Sequence, residues 1–382
     1  MREKLFTILA ACFFLVTALP SYGSSGSLPG GGFPYEVTKG EPFPALSALF
    51  RQDRGWTGAD GAYSIPLDST KSLWFFGDTY IGEITGGRRV NHRLINNTIA
   101  LQPRGVRNRK MWFDWKEMEG RPRAWFVPAA ADEWYWPGDG AMAEGMLYLF
   151  FKRLAPIPDA PAGFQFDWKG DDLIAVENPR DDPFRWCWKT AVLPSFGKSL
   201  HFGTACAKKS GYLYVYGLQD DFAPGGLRRL VVLSRIPEAK LRNLEISAFE
   251  YLCSEGGRNS WKKKPENPAT LFEGGATEMT VSQVKGVEGF IATYTPDSFG
   301  PRIVIRHAFQ PEGPWSEACE VYRCPEEGKG ILLYGAKAHP ELSEGPGDLV
   351  ITYCRNTGSL ERDVTEPYVY FPEAIKAKIA PR

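Results

Sequence analysis

The chain has 382 residues, enough for one large all-β domain or two ordinary ones. Its 45 Lys and Arg balance 45 Asp and Glu, so it lacks the basic field that nucleic-acid binding requires. Aromatic residues make up 14% of the chain, which suits an aromatic-rich β core and leaves some rings for stacking on sugars.

In chain order, Met1-Arg2-Glu3-Lys4 and the apolar run Leu5 to Leu19 read as a secretory signal peptide over residues 1–23. Ser21 and Gly23 supply the small residues at its cleavage site, and the run is too short for a membrane span. Leu9-Ala10-Ala11-Cys12 resembles a lipoprotein box, but the apolar run continues past Cys12, which argues against an anchor there. No later stretch suits a span, so the expected location is secreted or periplasmic. Six cysteines follow Cys12, too sparse for a disulfide scaffold and in no zinc-site spacing. Residues 24–40 read as a Gly/Ser/Pro-rich linker and 41–382 as one catalytic domain.

That domain begins with a hairpin. Gly58-Ala59-Asp60-Gly61-Ala62 leads into one strand, and Leu73-Trp74-Phe75-Phe76-Gly77-Asp78-Thr79 forms its neighbour. The midpoint of positions 60 and 78 falls in Asp68-Ser69-Thr70-Lys71, a run with turn chemistry. Antiparallel pairing about that turn sets Asp60 opposite Asp78, with Cβ atoms roughly 4.5–5.5 Å apart. Two carboxylates that close repel, which pushes one pKa up. A paired acid and base is what glycosidic hydrolysis needs.

The same architecture then recurs, although barely in letters. Small-residue starts at Asp60, Asp139, Thr204, Glu278 and His339 each precede a strongly apolar β run. The spacing suits four-stranded blades with decorated loops, and the continuous apolar runs suit sheets covered on both faces. The reading is an all-β, five-bladed β-propeller, closed by Tyr368-Val369-Tyr370-Phe371. A pair of β-sandwiches would bury similar strands but does not require five similar units.

The strand starts of a propeller converge on one face, so Asp60, Asp139, Thr204, Glu278 and His339 are expected around one cavity. Only the first unit also ends its second strand on an acid, Asp78, which makes Asp60 and Asp78 the candidate catalytic pair. Asp139 and Glu278 are candidate auxiliary acids, and His339 a candidate substrate or metal ligand. Asn97 opens a third strand that could reach the cleft. Trp56 and Trp136 flank the aspartate motifs as candidate sugar platforms. For each residue a plainer use exists: turn capping for the aspartates, ion pairing for Glu278, core packing for the tryptophans. No Gly-x-Ser-x-Gly elbow, phosphate-binding loop or dinucleotide fingerprint occurs. No cofactor is expected, although a propeller axis can hold a structural cation.

The Gly55-to-Ala62 and Leu73-to-Thr79 motifs, with Trp136-Pro137-Gly138-Asp139-Gly140, resemble domain-of-unknown-function family 4185. That family includes glycoside hydrolase family 183, the endo-D-arabinanases. The resemblance runs from about residue 50 to about residue 375 and is strongest in the first unit. It implies a five-bladed propeller with its essential aspartates at Asp60 and Asp78. The long stretch from Asp159 to Arg185 has no counterpart in it. The expected function is an exported hydrolase cleaving a furanose-rich, D-arabinan-like polysaccharide. The alternative is a non-catalytic carbohydrate-binding or interaction propeller.

Overall fold

The computed structural model describes residues 31–104, 110–157, 165–223 and 226–382. The stretch read as a signal peptide, with Cys12, and residues 24–30 of the stretch read as a linker lie outside these residues. Among the sheets of the described residues, five antiparallel ones form a ring, each led by an innermost strand: Tyr63–Pro66, Trp134–Ala143, Leu200–Lys209, Met279–Ser282 and Leu332–Ala338. Consecutive innermost strands lie side by side from the first blade to the fifth. Ser64 Oγ and His339 Nδ1, 2.6 Å apart, join the fifth blade back to the first. This is a five-bladed β-propeller.

Each blade interface holds its own apolar cluster, so the core is divided among the blades. Tyr63, Leu73 and Phe75 of blade 1 meet Leu147, Leu149 and Phe151 of blade 2, and comparable clusters fill the other four interfaces. Sheets buried on both faces explain why the strands read as continuous apolar runs. Each fully buried Leu, Ile or Phe contributes roughly 1.5–3 kcal/mol.

Ring closure differs from the sequence expectation. Glu373–Pro381, not Tyr368 to Phe371, is the third strand of blade 5. Its outer neighbour is Tyr35–Val37, inside the stretch read as a linker, in register from Tyr35↔Pro381 to Val37↔Ile379. A three-residue strand among Gly and Pro carries no periodic signal, and its partner lies at the other end of the chain. The stretch from Asp159 to Arg185, read as an insertion, supplies the third strand of blade 2, Phe166–Val176.

Blade 1 carries an addition. After Asp78 the chain leaves the blade as a hairpin, Thr79–Thr85 and Arg88–Ile95, which pairs with Arg54–Ala59 in a separate three-stranded sheet. It then returns as the blade's third strand, Thr98–Pro103. Among the described residues, no helix is long and apolar enough to cross a membrane.

Candidate active site

Blade 1 folds about the turn read from the sequence. Tyr63↔Phe75 through Pro66↔Ser72 pair across it, and Asp68 Oδ1 accepts from the N–H groups of Thr70 (2.7 Å) and Lys71 (3.0 Å). At the open end the Asp60 N–H donates to the Asp78 carbonyl (3.3 Å), and the Gly77 N–H to the Asp60 carbonyl (2.9 Å). The two aspartates therefore face each other, both half-buried.

Glycine makes the arrangement feasible. Gly61 has φ +84°, and the Ala62 N–H closes a three-residue turn onto the Asp60 carbonyl (3.1 Å). A Cβ on Gly77 would overlap Asp60 Oδ1, so the bare backbone there makes room for the carboxylate.

The two carboxylates are held differently. Asp78 Oδ1 accepts from the Trp136 indole N–H (2.8 Å) and from Asn96 Nδ2 (3.1 Å). Asp60 Oδ2 accepts from the Tyr334 hydroxyl (2.8 Å). Burial raises the Asp78 carboxyl to about 6, against the pull of its two N–H donors. Burial, then the charges of Asp78 and Glu278, raise Asp60 further, to about 8, against the pull of the tyrosine hydroxyls. The pair thus favours one shared proton, held mainly on Asp60, at neutral pH.

Glu278, just before the innermost strand of blade 4, accepts from Lys337 Nζ at 2.9 Å. The ammonium is wholly buried, also donates to the Gly335 carbonyl (2.9 Å) and lies 4.4 Å from the Tyr63 ring centroid. Gly335, with φ +63°, keeps this corner open: a Cβ there would come within 3.1 Å of Glu278 Oε2 and Lys337 Nζ.

Apart from Trp136, the remaining predicted residues fall into the scaffold. Asp139 lies at a bulge of the blade 2 innermost strand and accepts from the Gly140 (2.8 Å) and Cys206 (2.7 Å) N–H groups, tying blade 2 to blade 3. Burial, only partly offset by these donors, pushes its carboxyl up to about 7. Asn97 is buried, donating to the Phe126 (2.9 Å) and Tyr135 (3.1 Å) carbonyls and accepting from the Phe126 N–H (2.8 Å), so it does not reach the cleft. Trp56 is buried with its ring stacked on Phe113 at 4.3 Å, which leaves no face for a sugar. Trp136 stays half-buried and holds Asp78 through its N–H.

His339 is also displaced from its expected place. The innermost strand of blade 5 is Leu332–Ala338, so His339 follows its end. The position equivalent to Asp139 is the register break between Tyr334 and Lys337, marked by Gly335-Ala336. The run Ala338-His339-Pro340-Glu341 mimicked a strand start.

Four residues near the pair were not anticipated: Asn96, Tyr334, Lys337 and Tyr370, whose hydroxyl donates to the Asp78 carbonyl (3.1 Å). Asn96 was visible as the neighbour of Asn97, where side-chain alternation puts one of two asparagines on each face. Tyr334 and Lys337 come from blade 5, and no local pattern brings them to a hairpin some 270 residues earlier. Among the described residues no group of three or more His, Cys, Asp or Glu is placed to hold a metal ion.

No curated protein matches the chain. A crystal structure from Bacteroides ovatus named as a "putative hydrolase" superposes with TM-score 0.70 at 18% identity, covering 94% of this chain and 96% of that one. At that identity the likeness shows the fold alone. A thermostable family-43 glycoside hydrolase gives TM-score 0.45 at 13% identity, covering 87% and 91%. A family-43 enzyme from Xanthomonas citri complexed with xylotriose gives 0.43 at 14%, covering 88% and 91%. Family membership corrects the sequence expectation: residues 45–374 match DUF5005, not family 4185 or glycoside hydrolase family 183. The motifs behind the earlier resemblance are short turn-and-strand runs, which unrelated propeller hairpins can share. The chain therefore belongs to the family described as Domain of unknown function (DUF5005).

Proposed function

We propose that this propeller is a glycoside hydrolase in which Asp60 is the general acid and Asp78 the base or nucleophile. The observation that carries the reading is the unequal holding of two facing carboxylates. Asp78 takes two N–H donors, which stabilise its charged form, whereas the Asp60 carboxylate takes the Tyr334 hydroxyl and is repelled by both Asp78 and Glu278. Glycosidic cleavage needs this division: one carboxyl protonates the leaving oxygen while the other acts on the sugar carbon or its water. Glu278 belongs to the site as an auxiliary charge paired with Lys337. Export belongs to the reading as well, on the strength of the signal-like residues 1–23. The D-arabinan and endo-arabinanase assignment rested on the family resemblance now corrected and is not carried forward; the substrate class proposed is a polysaccharide or oligosaccharide.

The test is release of reducing ends from a panel of xylans, galactans, arabinans and arabinogalactans, with Asp60→Asn and Asp78→Asn as controls. Turnover by the parent and loss in both variants is the expected result. Saturable glycan binding without release by the parent would overturn catalysis in favour of a carbohydrate-binding propeller.

A further inference from the structure

Phe299 is 37% exposed, yet it stands on a loop that bonds from three blades hold in place. The loop joins the second and third strands of blade 4, Phe290–Tyr294 and Arg302–Ala308. Two consecutive non-glycine residues, Asp297 (φ 55°) and Ser298 (φ 76°), adopt left-handed backbone there. Such conformations cost of order 1–3 kcal/mol each and persist only where the surroundings enforce them.

Three blades do so. Arg229 of blade 3 donates through Nη1 to the Asp297 carbonyl (2.6 Å) and to Ser298 Oγ (3.0 Å). Ser298 Oγ also accepts from the N–H of Thr277, the residue before Glu278 (2.9 Å). The Gly300 N–H donates to the blade 5 carbonyl of Leu333 (2.9 Å). The outcome is placement of the Phe299 ring 5.6 Å from that of Tyr334, whose hydroxyl holds Asp60. On the other side of the pair, Trp136 holds Asp78 and packs edge-on against Phe166 at 4.5 Å.

We propose that Phe299 is a sugar-binding platform on the Asp60 side of the carboxylate pair. A glycan would then run from the blade 4–5 rim across blade 1 toward Trp136 on blade 2. The ligand fitting an exposed apolar ring beside hydroxyl and carboxylate groups is a neutral oligosaccharide, which packs the C–H face of one sugar on the ring and hydrogen-bonds through its edges. This inference rests on the glycoside-hydrolase reading for its orientation.

The test uses the full chain carrying Asp78→Asn, so that bound glycan persists. Its migration is followed in gels containing xylan, galactan, arabinan or arabinogalactan, alone and with Phe299→Ala or Phe299→Trp added. The expected result is retardation by at least one polysaccharide, weakened about tenfold by Phe299→Ala and kept by Phe299→Trp. In the catalytically intact chain, Phe299→Ala should raise KM without moving the pH limbs, which separates a platform from a prop for Tyr334. Equal retardation of the Ala variant, or no retardation in any gel, overturns the platform. Loss of retardation on Phe299→Ala, where the chain with Asp78 intact releases no reducing ends from the same polysaccharide, would uphold the platform and sink the catalytic reading instead.

Discussion

Asp60 and Asp78 are joined through their backbones as well as opposed through their side chains, the Asp60 N–H donating to the Asp78 carbonyl at 3.3 Å. The ladder that continues from them, Tyr63↔Phe75 onward, does not involve either carboxylate. Chemistry and fold are therefore separable at these two positions. Asp60→Asn and Asp78→Asn should each lower turnover by about 10²–10⁴-fold, the span usual for losing a general acid or base. The fold should survive both changes, as judged by circular dichroism.

Stability should respond to Asp60→Asn in a pH-dependent way. The folded state holds the Asp60 carboxyl at about 8, against about 3.9 in an unfolded chain, so folding favours its proton. Below the unfolded value both states are protonated and no penalty arises. As pH rises toward 8, the unfolded chain gives up this proton more readily, and the native state loses relative stability. Asn has no such penalty, so the variant's lead in melting temperature over the parent should widen between pH 5 and pH 8. A lead that narrows would show that Asp60 is ionised in the fold.

The activity profile should be a bell, with its acid limb near the Asp78 value of about 6 and its alkaline limb near the Asp60 value of about 8. These values belong to the coupled pair. Trp136→Phe removes an N–H donor from the charged form of Asp78 and should move the acid limb to higher pH. Tyr334→Phe removes the hydroxyl donor of Asp60 and should move the alkaline limb up, whereas Glu278→Gln removes a repelling charge and should move it down. Initial rates over pH 4–10 decide all three signs.

How much of this was legible in the chain follows from the range of each interaction. The Asp60–Asp78 hairpin is local: its turn residues, its alternation and its two acids all lie within one short segment, and each pointed to the same register. The five-blade division was legible because each unit repeats a small-residue start before an apolar strand. The phase of blade 5 was not, because Ala338-His339 imitates the start that Gly335-Ala336 actually provides. Trp56 and Asn97 were misplaced for a related reason. Their types suit a cleft, but Phe76, Phe113 and Phe371 pack around the Trp56 ring, and Asn97 spends its amide on the Phe126 and Tyr135 carbonyls. Tyr334, Lys337 and Tyr370 reach the pair only once the ring closes, and closure depends on strands from both chain ends.

Lys337 and Glu278 should behave as one unit. The ammonium is wholly buried and Glu278 supplies its charge partner, so Lys337→Met leaves a carboxylate without its partner and Glu278→Gln leaves a buried cation. Each single change should destabilise by about 3 kcal/mol, and the double change by clearly less than their sum. Urea melts of the four proteins give the coupling energy. Additive losses would mean that Lys337 is stabilised mainly by the Gly335 carbonyl and the Tyr63 ring.

His339 offers a test of scaffold against site. Its ring lies 2.6 Å from Ser64 Oγ and 2.7 Å from Thr352 Oγ1, tilted against the Trp74 ring with centroids 4.6 Å apart. Burial, with Lys337 nearby, pushes its pKa down to about 3, so the fold keeps it neutral. An unfolded chain protonates the same ring near 6.5. Stability linked to this residue is thus complete above pH 6.5 and drains away as pH falls toward 3, by up to about 1.4 kcal/mol per pH unit. His201, lowered to about 3 by burial and by Lys152, adds a second proton to the same window. His339→Gln should therefore reduce the slope of unfolding free energy between pH 6 and pH 4 to roughly half the histidine share, while leaving both limbs of the activity profile in place. An unchanged slope would place the His339 proton in the folded state, and a lost acid limb would return the residue to the chemistry.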